Sequence, residues 1–176
     1  MIDKADYYVH PLAVVEDQAK IGKGSSVWHF AHIRKNAVLG ENCIIGKNVY
    51  IDADVQIGSN VKIQNNVSVY HGVTIADGVF VGPHVCFTND KNPRAINSDG
   101  APKKADDWVI SKIFVDRGAS IGANATIVAG IRIGKWAMIG SGSVVTKDVP
   151  DFALVIGNPA RIRGKVNERG EIIERY

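Results

Sequence analysis

The sequence predicts an all-β solenoid, a parallel β-helix of six-residue units with one long loop at 91–112 and a short C-terminal extension. Three observations predict it: a hydrophobic residue at every sixth position, turn residues suited to a left-handed backbone, and one interruption that keeps the register. A chain of 176 residues is long enough to bury one core. One repeat domain over 1–160, with the loop inserted, and an extension at 161–176 account for its length.

The repeat starts at Val9 and steps by six through Val15, Ile21 and Val27 to Val69, Ile75, Val81 and Phe87, fourteen hydrophobic residues in unbroken register. Four residues after each comes a small or β-branched one: Ala13, Ala19, Ser25, Ala31, Ala37 and Cys43, then Val49 through Val85. Six residues are too few for a helix pair. Apolar residues two apart, such as Val61 and Ile63, alternate as strands do, so each unit reads as a strand of about three residues and a tight turn. Such units form the sides of a prism.

The turns agree. From Gly24 to Asp90, ten of the twelve closing turn residues are Gly, Asn or Asp, which accept a left-handed backbone at low cost. The exceptions are Phe30 and His84, and histidine tolerates positive φ better than most residues.

The repeat stops after Asp90 and restarts at Val115, followed by Ile121, Ile127, Ile133, Ile139 and Val145. Removing the 22 residues of 91–112 puts Val115 six positions after Phe87. The insertion therefore leaves one turn and returns to the same lattice position. Long loops on regular scaffolds carry function more often than not.

Composition excludes much. Net charge is +3 with 22% charged residues, so nothing points to nucleic acid or a membrane surface. The start MIDKADYY lacks the basic and apolar regions of a signal peptide. Cys43 and Cys86 have neither metal-binding spacing nor scaffold density, which makes a cytoplasmic location the expectation and a metal cofactor unexpected.

Three units make a coil, so lattice positions 18 apart stack about 4.8 Å apart. One corner column then carries Trp28-His29-Phe30, Gly46-Lys47-Asn48, Gln64-Asn65-Asn66, Gly82-Pro83-His84 and Gly122-Ala123-Asn124. The next carries Arg34-Lys35-Asn36, Asp52-Ala53-Asp54, Tyr70-His71-Gly72, Thr88-Asn89-Asp90 with the loop, Val128-Ala129-Gly130 and Thr146-Lys147-Asp148. His32, Tyr50, Ser68, Cys86 and Thr126 point outward between them. The third corner holds ordinary turns such as Gly58-Ser59-Asn60. A purely structural solenoid would not need this asymmetry, so the two edges are read as a site.

The repeat, the loop leaving after FTND and the ending VVTKDVPDFALVIGNPAR resemble the hexapeptide-repeat acyltransferases. SVWHFAHI, KIQNNVSVY, FTNDKNPRA and GASIGANATIVAGIRIG are similar to those of N-acetyltransferases acting on nucleotide-linked (UDP or dTDP) 3-amino sugars. The resemblance implies left-handed coiling, acetyl-CoA as co-substrate, and a homotrimer with each active site between two subunits. It also implies a product for surface polysaccharide or glycan biosynthesis.

On that reading His71, beside the loop, accepts the amine proton or orients the amine. Asn89, one coil above, hydrogen-bonds the amine or the sugar. The bland alternative for His71 is a solvated turn histidine, and for His84 a corner cap. Nucleotide and sugar would lie along His29, Gln64, Asn65, Asn66, Tyr70 and His84, with Asn92 and Arg94 from the loop. Trp28 and Phe30 suit either base stacking or subunit packing. The acetyl donor would follow the His71 column past the small Ala129 and Gly130 to Lys147. The chain then runs into Ile156, Asn158, Pro159 and Arg161, with Lys147, Arg161 and Arg163 as candidate phosphate partners. The tail RIRGKVNERGEIIERY is expected to leave the prism as a hairpin or a short helix.

Three rivals are weighed. A sugar O-acetyltransferase would need a stronger base. A γ-type carbonic anhydrase would need His29 and His32 to converge with a third ligand. A scaffold would not bind acetyl-CoA.

Overall fold

The computed structural model describes residues 6–176; Met1–Ala5, the start of the MIDKADYY segment and of the 1–160 domain, lie outside the described residues. The chain winds as a three-faced parallel β-helix. Face A begins with Tyr8–Val9 and climbs in parallel to Ala153–Gly157. Face B runs from Val14–Val15 to Val144–Val145, and face C from Lys20–Ile21 to Arg132–Ile133. Most strands are two residues long, shorter than the three expected, because the corners take the remaining four of each unit.

Each two-residue strand turns its second residue inward. Ile33, Ile45, Ile51, Ile63, Ile121, Ile127 and Ile133 are fully buried, stacked with small partners such as Ala37, Cys43 and Ala125. Full burial of each large aliphatic side chain is worth roughly 1.5–3 kcal/mol, repeated coil after coil. Cys86 pairs with Thr126 and Ile75 with Val115, so the loop is spliced out without a slip of register.

The corners use the left-handed conformation foreseen from sequence, at Asn36, Asn48, Asp54 and Asn66, and also at Phe30 (φ 58°) and His84 (φ 59°). Their side chains form ladders between coils, as where Asn48 Nδ2 donates to Asn66 Oδ1 at 3.0 Å. The loop is itself ordered. Ile96 and Pro102 form an isolated antiparallel bridge, the chain turns at Gly100 (φ 86°), and the loop closes where Ser111 N donates to the Asn89 carbonyl at 2.8 Å.

The tail does not leave the prism. Ala160–Val166 and Ile172–Arg175 fold back as antiparallel strands that extend face A. Of the two forms expected for it the hairpin is observed, with the N-E-R-G turn held by Asn167 Oδ1 accepting from Arg169 N and Glu171 N. No helix among the described residues is long and apolar enough to cross a membrane.

Candidate active site

His71 stands on the edge between faces B and C, half-exposed, on a turn completed by Gly72 at φ 92°. Its Nδ1 lies 2.8 Å from the carbonyl oxygen of Ala53 in the coil below. A carbonyl only accepts, so Nδ1 carries the proton and the neutral ring keeps its lone pair on Nε2. The Asp54 carboxylate lies 3.7 Å from the same nitrogen.

Beneath His71 runs a charged ladder that sequence reasoning did not assign. Glu16, Arg34 and Asp52 occupy the same corner position in successive coils. Arg34 donates from Nε to Glu16 at 3.3 Å and from NH1 to Asp52 at 3.2 Å. His32 Nε2 donates to Glu16 at 2.8 Å, and the Tyr50 hydroxyl donates to Asp52 at 3.0 Å. Burial works to raise the Asp52 carboxyl, but the amides of Ala53 and His71, the Tyr50 hydroxyl and the Arg34 charge outweigh it and hold it below the usual carboxylate range. Alternating charge at 18-residue spacing was the signal that would have found this ladder.

Above His71, Asn89 Nδ2 donates to the His71 carbonyl at 3.2 Å, a bond that leaves Asn89 Oδ1 unused. One coil higher, Ala129 is buried and its amide donates to Thr88 Oγ1 at 2.8 Å. Gly130 is covered by Lys91: a Cβ there would come within 2.7 Å of the Lys91 ammonium. Lys91 is thus a site candidate that the sequence reading missed. Beside this column the loop builds a cavity of about 550 Å³ lined by Asp90, Pro93, Arg94, Ala95, Lys103, Lys104 and Trp108. Asn92 does not line it; its backbone N donates to Asp90 Oδ1 at 2.8 Å.

The other predicted residues lie across face B. His29, Gln64, Asn65, Asn66 and His84 line the edge between faces A and B, so one chain does not bring them to His71. There His84 ends a ladder, with Asn66 Nδ2 3.3 Å from its Nε2, and Asn65 Oδ1 accepts from Lys47 N at 2.9 Å. His29 stacks on His10 at 3.5 Å between ring centroids. Burial first, and then the neighbouring His29, push His10 below its ordinary value. Tyr70 stays with His71 and leans on Tyr50 at 6.1 Å.

One expectation needs correction. The segment from Ile156 to Arg161 does not continue the His71 column. Gly157 N donates to Ser143 Oγ at 3.1 Å and Ile156 sits over Gly140, so Ile156, Asn158 and Pro159 top the A–B edge. The register reading overran because the chain crosses face C at Val149 before it rejoins face A. Lys147 and Arg161 still meet, at the open end of the prism, in a cavity of about 320 Å³ with Thr146, Ala160 and Ile162. Arg163 lies on the returning strand, its carbonyl accepting from Tyr176 N at 2.9 Å. His29 and His32, in turn, do not converge, since each ring has its own partner. Among the described residues no cluster of three His, Cys, Asp or Glu could hold a metal ion.

Relatives share this architecture. The chain is 53% identical over 90% of its length to a dTDP-3-amino-3,6-dideoxy-alpha-D-galactopyranose 3-N-acetyltransferase of Aneurinibacillus thermoaerophilus, 78% of which it covers. A galactoside acetyltransferase solved with coenzyme A superposes with a TM-score of 0.63 at 27% identity, over 74% of this chain and 66% of the other. PerB of Caulobacter crescentus, solved with CoA and GDP-perosamine, has a TM-score of 0.54 at 24% identity, over 90% of this chain and 58% of that one, a likeness of fold alone. The bacterial transferase hexapeptide family (six repeats) matches residues 18–53, 36–70, 54–89 and 113–147, breaking only at the loop. With the repeat, the loop and these matches together, the chain belongs to the bacterial hexapeptide-repeat transferases.

Proposed function

We propose that this transferase moves the acetyl group of acetyl-CoA onto the amino group of a nucleotide-linked 3-amino sugar, UDP- or dTDP-borne. The observation that carries the reading is His71, whose Nδ1–H is tied to the Ala53 carbonyl, leaving Nε2 as the base at the foot of the loop. The likeness to the Aneurinibacillus enzyme names the substrate class.

The amine nitrogen attacks the thioester carbon, and the carbonyl oxygen takes the displaced electron pair as an oxyanion. His71 Nε2 accepts the proton shed by the attacking nitrogen. Collapse of the intermediate breaks the C–S bond, and the proton passes to the departing thiolate, giving an acetamido sugar and free CoA. Asn89 Oδ1 orients the amine. Lys91, lying over Gly130, supports the oxyanion by its charge. The cations around the loop cavity suit a diphosphate, and Lys147 with Arg161 suit the phosphates of CoA.

His71 and the A–B edge residues lie on opposite sides of face B. In this reading a homotrimer, with the A–B edge of one copy against the B–C edge of the next, completes each site. The enzyme works in the cytoplasm and its product serves surface polysaccharide.

The test is steady-state release of CoA from acetyl-CoA with UDP- and dTDP-linked 3-amino sugars as acceptors. Turnover that collapses in His71→Ala supports the reading. Release only with a hydroxyl acceptor would replace it with O-acetylation, and no release with any acceptor would return the chain to a scaffold.

A further inference from the structure

The carboxylate of Asp52 is mostly buried, with 17% of its side chain exposed, and both of its oxygens are used. Oδ1 accepts from Ala53 N at 2.7 Å, the Tyr50 hydroxyl at 3.0 Å and Arg34 NH1 at 3.2 Å, all from its own coil or the one below. Oδ2 accepts from a different coil, at the backbone amide of His71, 3.2 Å away.

Ordinary corners are bridged the other way round. Asn65 accepts from Lys47 N, Asp77 from Ser59 N and Asp151 from Lys135 N, each reaching down from the coil above out of the middle of its turn. Asp52 instead opens its turn and reaches up. Glu16 does the same two coils lower on this edge, where it accepts from Lys35 N at 2.9 Å. The residue after Asp52 is Ala53, whose carbonyl takes the Nδ1 proton of His71. Two consecutive residues therefore hold both the backbone and the ring of His71.

We infer that Asp52 is a positioning residue for acetyl transfer: it clamps the His71 turn so that the ring stays on the Ala53 carbonyl and presents Nε2 to the reacting amine. This rests on the acetyl-transfer reading. Tyr50 and Arg34 act through Asp52, fixing its rotamer from one side while His71 is held on the other. A loose His71 turn would let the ring rotate and exchange tautomers, without altering any surface that touches CoA.

The experiment compares wild type, Asp52→Asn and Asp52→Ala by steady-state kinetics, thermal unfolding and nitrogen-15 NMR of the His71 ring. The asparagine keeps the shape of the aspartate but turns an amide donor toward the His71 N–H, so both variants should loosen the clamp. The expected result is a fall in kcat of about tenfold or more, with KM for acetyl-CoA within about twofold of wild type. The His71 signals should change from one Nδ1–H tautomer to a mixture. A merely structural Asp52 would lower the unfolding temperature but leave the tautomer and the kcat of folded enzyme unchanged, and that result overturns the inference. So does a raised KM with kcat intact, which would make Asp52 a binding residue. If wild type transfers acetyl to no amino sugar, the functional reading falls. The NMR comparison then decides the clamp by itself, a retained single tautomer sinking it and a mixture upholding it.

Discussion

Asn89 Nδ2 of one coil donates to the backbone carbonyl of His71 in the coil below at 3.2 Å, so the first turn of the loop is fastened to the histidine it overhangs. With one of its two amide hydrogens engaged, Asn89 still offers substrate Oδ1, an acceptor suited to an amine N–H. Asn89→Asp keeps that acceptor, loses the bond to His71 and adds a charge; Asn89→Ala loses both. Both variants should lower kcat, with the alanine the weaker enzyme, measured by CoA release. Equal activity in Asn89→Ala and wild type would remove Asn89 from the site.

His71 itself should carry more. General acid–base groups contribute about 10²–10⁴ in rate, so His71→Ala should lose that much kcat at neutral pH while acetyl-CoA still binds. Isothermal titration with CoA checks the second half of the statement. A variant unable to bind CoA would show that the substitution disturbed the corner rather than the chemistry.

Much of this molecule can be read from its residues. A strict six-residue period fixes which side chain points inward, and the 22-residue interruption preserves it, so Cys86 could be placed below Thr126 from counting alone. Counting failed where the lattice ends. After Lys147 the chain no longer turns every six residues, and Ile156 lands on the A–B edge instead of above Lys147. The Glu16–Arg34–Asp52 ladder was missed because corner residues were compared for unusual type, while the ladder lies in the pairing of ordinary charges between coils. Lys91 was missed because a flexible side chain leaving a loop has no lattice position. His29, Gln64 and His71 could be assigned to two edges, but whether those edges meet depends on the trimer proposed above, which no single sequence displays.

The core should respond to truncation as a close-packed interior does. Ile63 is fully buried midway up face A. Ile63→Ala should cost about 2–5 kcal/mol, since neighbouring coils cannot collapse into the space without breaking their own pairing. Chemical denaturation of the two proteins measures it. A loss below about 1 kcal/mol would mean that the coils relax independently.

Backbone approach at the corners sets a second limit. A Cβ on Gly122 would lie 2.5 Å from the amide nitrogen of Ser141 and 2.8 Å from the Ile139 carbonyl, both main-chain atoms that cannot swing aside. Gly122→Ala should therefore destabilise by about 1–3 kcal/mol or more, as overpacked sites do. Gly142→Ala is the contrast: it has open space, with only its φ of 69° to oppose a side chain.

Acid should loosen the lower coils in two stages. His10, stacked on His29, is held below its ordinary value of about 6.5, so the unfolded chain binds that proton more readily than the folded one. Its contribution is complete above the ordinary histidine value and is lost as pH falls toward the folded one. Asp52 and Glu16 are also held low, Glu16 first by the Lys35 amide and then by the His32 ring. Their stabilisation is present above the ordinary carboxylate range of about 4 and disappears as pH falls through it to their folded values. Unfolding temperature followed from pH 8 to 3 should fall first near the histidine range and again in the carboxylate range. His10→Phe, which keeps an aromatic ring against His29, should flatten the first fall and leave the second. Asp52→Asn should do the reverse. A first fall unaltered in His10→Phe would place the sensitive histidine elsewhere on the prism.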